Sequence, residues 1–185
     1  MTLNAVRRSV LDGRSLPSSP KAKASALPFA TRLNLRGGPD IVGPVAEAFG
    51  VAPPLKPLSS ASAGARAALW LGPDEWLLIA EEAATDLQAK LEAALAGVFH
   101  SLVDVSHRHV GIWLEGPGAA RLLAAGCPLD LDLSAFPVGM STRTLLVKAE
   151  IGLWRPVENG FHIEVLRSFA PYVARILDQA ARDQG

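Results

Sequence analysis

Apolar and polar residues alternate with a period of two over Thr31-Arg32-Leu33-Asn34-Leu35-Arg36, the mark of a strand with one face in a core. Gly37-Gly38 stops this strand. Pro39 and Asp40 open a helix that runs to Phe49 and closes at Gly50, shortened or kinked by Gly43 and Pro44. Pro53, Pro54 and Pro57 with Ser59, Ser60 and Ser62 predict a loop. Ala68-Leu69-Trp70-Leu71, the turn residues Gly72-Pro73-Asp74-Glu75, and Trp76-Leu77-Leu78-Ile79 predict a hairpin within residues 67–80. Thr85 is placed to cap a helix running to Gly97, with Leu87, Leu91, Ala94, Leu95 and Val98 on one face.

The second half repeats this grammar. Leu102–Ser106 and Val110–Leu114 read as strands, and Gly116-Pro117 opens a short helix that buries Leu122 and Leu123 and ends at Gly126. Residues 128–142 read as a loop. Arg143–Ala149 is a predicted strand that Ile151–Trp154 continues past a bend. Glu158-Asn159-Gly160 is strong hairpin-turn chemistry, and Phe161–Val165 alternates cleanly. Ser168 caps a final helix with Tyr172, Val173, Ile176, Leu177 and Ala180 inward and Pro171 harmless in its first turn. Hairpins outnumber the long crossovers a parallel sheet needs, so the class is α+β, a mostly antiparallel sheet with helices packed on it. The two halves match in element order without a residue-level repeat. Residues 27–182 make one domain, and residues 1–26 read as a basic, flexible arm.

Composition narrows the picture. Of 185 residues 49% are hydrophobic and 19% charged, enough to bury a core and too apolar for a disordered chain. The net charge is zero, which argues against a nucleic-acid binder. That balance hides an asymmetry: residues 1–68 hold nine Lys/Arg against three Asp/Glu, and residues 69–185 hold nine against fifteen. Such polarity favours docking of the front part on the body, or contact with a partner. Cys127 is the single cysteine, so neither an intramolecular disulfide nor a cysteine zinc cluster is available, and a reducing compartment fits. No apolar run approaches the ~20 residues of a membrane span, and the N-terminus lacks a secretory pattern. A soluble, cytoplasmic protein is expected.

Candidate chemistry is sparse. His107 and His109, spaced two apart on a strand, would put both imidazoles on one face beside Arg108, yet no third ligand completes a metal pattern. Asp104 and Ser106 face away from His107, no G-x-S-x-G elbow exists, and local backbone bonding is the plainer role for both. Cys127 follows a helix C-terminus, where nothing lowers its pKa, and reads as a small buried hydrophobe. Arg143, Lys148, Arg155 and Arg167 suit an anionic ligand, partner carboxylates or simple local ion pairs. The glycines form no phosphate cradle of standard spacing, and the four tryptophans sit in strands as core or interface. No catalytic, cofactor-binding or metal constellation emerges, which favours a binding or subunit role.

Several stretches resemble the gamma subunit of heterotetrameric sarcosine oxidase. They are Trp70-Leu71-Gly72-Pro73-Asp74-Glu75-Trp76-Leu77-Leu78, Val103-Asp104-Val105-Ser106-His107-Arg108, Gly116-Pro117-Gly118-Ala119-Ala120, and Leu122 through Leu131 with Gly126-Cys127-Pro128. Gly139 through Arg143-Thr144, Lys148, and Arg167-Ser168-Phe169-Ala170 with Tyr172 complete the set. The likeness runs from about residue 27 to 182. Its middle part is shared more loosely with aminomethyltransferases such as the T-protein of the glycine cleavage system.

The resemblance implies the folate-binding aminomethyltransferase-like fold and a complex of alpha, beta, gamma and delta subunits. Such a complex oxidises sarcosine with oxygen to glycine, hydrogen peroxide and formaldehyde or methylene-tetrahydrofolate. It implies FAD, covalent FMN and NAD in the alpha and beta subunits, tetrahydrofolate in alpha and zinc in delta. The gamma subunit then holds none of them and serves as a structural partner. The folate-binding carboxylate of the T-protein-like enzymes has no counterpart here, and Asp104 is not assigned that role. The expected subunit contacts are Arg7, Arg8 and Arg14 of the arm, Trp70 and Trp76 of the hairpin, and His107, Arg108 and His109. The rival readings are a free-standing folate-binding domain and a scaffold for a different oxidoreductase.

Overall fold

The computed structural model describes residues 8–80 and 86–183, which form two antiparallel five-stranded sheets and four α-helices. In the first sheet β2 (Thr31–Gly37) lies between β5 (Glu75–Ala80) and β6 (His100–Asp104). The order continues outward from β5 through β4 (Arg66–Gly72) to β3 (Ser60–Ala63). In the second sheet β7 (His109–Glu115) lies between β1 (Lys23–Ala26) and β10 (Gly160–Leu166), followed by β9 (Ala149–Val157) and β8 (Ser141–Leu146).

Each half follows one plan: a central strand, a helix, a three-strand meander whose last strand returns beside the first, and a second helix. The helices are α1 (Val42–Phe49) and α2 (Leu87–Ala94) in the first half, α3 (Ala119–Ala124) and α4 (Ala170–Asp183) in the second. Leaving out the outer strands β3 and β8, each is a β-α-β-β-α unit of ferredoxin-like connection. The first half supplies its own sixth element, β6. In the second half the chain passes into α4 and the equivalent edge is filled by β1 from the N-terminal segment.

Packing follows from alternation. In β2, Leu33 and Leu35 are wholly buried against Val45, Phe49, Leu87 and Leu91 of the α1–α2 layer. In β10, Phe161, Ile163 and Val165 are wholly buried with Leu122, Leu123, Val173 and Leu177 of the α3–α4 layer. Helices therefore cover only the outer face of each sheet. The two inner faces meet each other through Ala67, Leu69, Leu77, Ile79 and Trp154. The result is four layers, helix–sheet–sheet–helix.

Most elements fall where the alternation puts them; four expectations are corrected. Ser60–Ala63, expected in a loop, is an edge strand that pairs with β4. Arg143–Trp154 is not one strand past a bend but the β8–β9 hairpin, turned at Val147 with φ 57°. His107 lies in the turn between β6 and β7, so it does not share a strand face with His109. Thr85, the expected helix cap, lies outside the described residues.

The fourth correction concerns the arm, whose residues 10–26 are part of the folded body. β1 pairs with β7, Leu11, Ala22 and Ala24 are buried in the second core, and the Ala24 N–H donates to the Pro17 carbonyl at 2.8 Å. Gly116, at φ +118°, makes this docking possible. A Cβ there would stand 2.5 Å from the Lys21 carbonyl oxygen, and the nearby Gly118 N–H donates to that oxygen at 2.7 Å. Gly116→Ala is expected to cost about 1–3 kcal/mol for the backbone conformation alone. The steric overlap adds to it. Tm should fall by roughly 5 °C or more, with faster proteolysis around residues 17–22. An unchanged Tm would show that the segment contributes nothing to the fold.

Candidate functional site

The site lies where the inner faces meet. Alternation sends Arg32 and Asn34 of β2, and His162 and Glu164 of β10, away from the helices and toward each other. Arg32 is 2% exposed and Glu164 3%. They form a two-pronged ion pair, Arg32 Nε to Glu164 Oε2 at 2.7 Å and Arg32 Nη2 to Oε1 at 2.9 Å. His162 Nε2 reaches the same Oε1 at 2.6 Å. Burial alone would push the Glu164 carboxyl up; the His162 hydrogen bond and the Arg32 guanidinium outweigh it and hold the group at about 2.

Register makes room for this cluster. Across the second sheet Arg143, Gly152, Glu164 and Gly111 stand in one row. A Cβ at Gly111 would meet Arg32 Nη2 at 2.9 Å, so the glycine is what admits the guanidinium. Gly152, on the other flank of Glu164, leaves open a cleft of about 330 Å³ between the sheets.

One wall of that cleft is a second polar cluster. Glu75 accepts from Asn34 Nδ2 at 2.8 Å and from both Arg143 Nη atoms. Partial burial raises the Glu75 carboxyl, but Arg143 and Asn34 more than offset it and the net shift is downward. Arg108 and His109 also line the cleft. Burial lowers the His109 imidazole against the raising field of Glu164, and its Nδ1 is buried without a hydrogen-bond partner.

The structure distributes the other residues singled out in the sequence. Trp76 is fully buried in the first core and donates from Nε1 to the Pro54 carbonyl at 2.7 Å; a buried, bonded indole leaves the set of surface contacts. Trp70, its cross-strand neighbour, is half-buried. Arg8, Arg14, His107 and Arg108 are exposed, and Arg14 Nε donates to the Val10 carbonyl. Arg7 lies outside the described residues.

Ser106 and Asp104 serve the backbone. The Ser106 N–H donates to Asp104 Oδ1 at 2.7 Å, and Ser106 Oγ accepts from the Arg32 N–H at 2.9 Å. Cys127 is buried beside Thr144. Arg155 is buried too, donating to the carbonyls of Leu131, Phe136 and Glu158 with Phe161 beneath it. Among the described residues no group of three or more His, Cys, Asp or Glu could hold a metal ion. Sequence reasoning passed over Arg32, His162 and Glu164. Their signal was a charged or polar residue at every second position of two strands whose alternate residues are strongly apolar.

Comparison with known proteins gives this architecture a family. Residues 36–183 match the model of the "Sarcosine oxidase, gamma subunit family". The sarcosine oxidase subunit gamma of Corynebacterium sp. strain P-1 is 36% identical over 155 residues, 82% of this chain and 76% of the relative. That of an Arthrobacter species is 36% identical over 138 residues, 73% and 68%. Among solved structures, a chain of the heterotetrameric sarcosine oxidase from Corynebacterium sp. U-96, in complex with pyrrole 2-carboxylate, superposes with a TM-score of 0.86 at 31% identity. That match covers 96% of this chain and 95% of the other. The glycine cleavage system aminomethyltransferase T of Bartonella henselae has a TM-score of 0.66 at 20% identity, over 88% of this chain and 49% of that one, a likeness of fold. With the family model and the relatives each spanning most of the chain, this protein belongs to the sarcosine oxidase gamma subunit family.

Proposed function

We propose that the chain packs against the alpha subunit of a cytoplasmic sarcosine oxidase as its accessory subunit, in a complex that also contains beta and delta subunits. The observation that carries the reading is the near end-to-end superposition, at 31% identity, on a chain of a heterotetrameric sarcosine oxidase. In this reading the oxidative demethylation of sarcosine runs on FAD, FMN, NAD and tetrahydrofolate held by the partners. This chain contributes buried interface, which stabilises the assembly by mass action. The free-standing folate-binding domain is less favoured, because its likeness to an aminomethyltransferase rests on fold at 20% identity.

The surface supports an interface role. Phe99 is 93% exposed, and Leu55, Val138 and Val157 each exceed half exposure. Arg8, Arg14, Trp70 and His107 are the proposed contacts outside the inter-sheet cleft. The test is to purify the tagged chain from its own host and record the absorption spectrum of the intact eluate. Flavin bands with three co-eluting subunits are expected. Reversing the charges of Arg8 and Arg14 should lower the co-eluting fraction at moderate salt. A colourless single protein would overturn the reading and put the folate-binding domain first.

A further inference from the structure

Several arginines are satisfied within the chain. Arg32, Arg36, Arg143 and Arg182 each meet a carboxylate, and Arg66 and Arg155 donate to backbone carbonyls. Arg8, Arg14, Arg108, Arg167 and Arg175 are exposed and form no ion pair among the described residues. These five gather at one place. Arg108 and Arg167 line an open groove together with Val10, Leu166 and Pro171. The Arg167 N–H donates to the Arg108 carbonyl at 2.8 Å, which sets the two residues side by side. Arg14 Nε donates to the Val10 carbonyl at 2.9 Å, so a third guanidinium stands at the groove's edge. Arg8 lies two residues before Val10, and Arg175 one turn past Pro171 on the same face of α4. The carboxylates closest to them along the chain are taken: Asp12 accepts the Ser9 N–H, and Asp178 pairs with Arg182. Phe169, 41% exposed, extends the apolar surface beside Arg167.

We propose that this groove docks a carboxylate-rich segment of a partner subunit. An apolar side chain of that segment sits over Val10, Leu166 and Pro171, and its Asp or Glu residues meet the arginines around them. Like charges held together with no counter-charge set up a positive potential that draws an acidic surface. The guanidinium fork matches a carboxylate on two bonds at once, which a lysine patch would not do. An apolar centre ringed by arginine, with an aromatic at its side, is also the make-up of a protein interface. The chain as a whole carries no net charge, so a long polyanion finds little beyond this end to hold it. The proposal rests on the accessory-subunit reading and names where, and by what chemistry, the contact is made.

The test uses the tagged chain assembled with its partner subunits in its own host. Arg108→Glu/Arg167→Glu should weaken association about tenfold or more, as expected for reversing charges that face an acidic partner. Rising salt should loosen the wild-type complex more steeply than the variant. Neither side chain makes a hydrogen bond within the chain, so the fold should persist, and an unchanged circular dichroism spectrum checks it. Lys21→Glu/Lys56→Glu changes the net charge equally away from the groove and should leave association intact; Lys21 lies near Ala181, at the other end of α4. A second variant keeps the charge. With Arg108→Lys/Arg167→Lys, a carbodiimide should join the introduced amines to Asp or Glu residues of a partner subunit, located by mass spectrometry. A wild-type chain that elutes alone overturns the accessory reading and this proposal with it. Co-elution that the Arg108→Glu/Arg167→Glu variant leaves unchanged overturns the proposal alone. So does an equal loss in the Lys21→Glu/Lys56→Glu variant, or cross-linking confined to a second copy of this chain.

Discussion

Replacing Glu164 with leucine is expected to destabilise the fold by about 3–5 kcal/mol, because it strands the Arg32 guanidinium between two sheets with no anion to meet it. Both groups are almost fully buried, and the carboxylate satisfies Arg32 and His162 at once. The double variant Arg32→Met/Glu164→Leu should recover most of the loss, since an apolar pair of similar volume removes the need for compensation. Urea unfolding of the three proteins checks this. If the double variant is as unstable as the single one, the cluster's value lies in shape and not in charge.

The same carboxylate sets an acid limit. Its folded value of about 2 lies below the ordinary 4.5. A depressed carboxylate contributes stability above the unfolded value and loses it as pH falls through the folded one. The contribution is therefore complete above about pH 4.5, fades between 4.5 and 2, and amounts to about 3 kcal/mol. The Glu164→Leu variant should show a flatter stability profile across that window.

Trp76→Ala is expected to cost a further large amount, about 3–5 kcal/mol, at a different place. The indole is wholly buried in the first core, beside Leu35 on β2 and opposite Trp70 on β4. Alanine would leave a cavity under α1 and α2 and free the Pro54 carbonyl. Trp76→Phe removes the N–H and part of the ring system while keeping an aromatic side chain, so it should cost less than alanine, about 1–3 kcal/mol. Denaturant midpoints should fall in the order wild type, Phe, Ala with unchanged slope. A small loss for alanine would mean that the hairpin does not anchor the α1–α2 layer.

Much of the fold was legible in local patterns. Alternation located β2 and β10, the Gly72-Pro73-Asp74-Glu75 turn placed β5 beside β4, the Glu158-Asn159-Gly160 turn joined β9 to β10, and Gly50 ended α1 in the left-handed conformation at φ 81°. The β8–β9 hairpin escaped notice because its turn is made at Val147, a β-branched residue that rarely adopts positive φ. The docking of the N-terminal segment escaped because β1 has four residues and gains its stability from pairing with distant β7.

What the chain determined by itself is which face of each strand is apolar, and hence that helices must cover Leu33 and Leu35 on one sheet and Phe161, Ile163 and Val165 on the other. Alternation is a property of neighbours along the backbone, so it is written locally. What only the tertiary structure decided is what the polar faces meet. Alone, Arg32, Asn34, His162 and Glu164 read as residues turned to water. Stacking the sheets removes the water, and the Arg32–Glu164–His162 cluster and the cleft beside it come from residues 132 positions apart at the ion pair. No local spacing encodes that encounter; it follows from two sheets of complementary charge closing on each other.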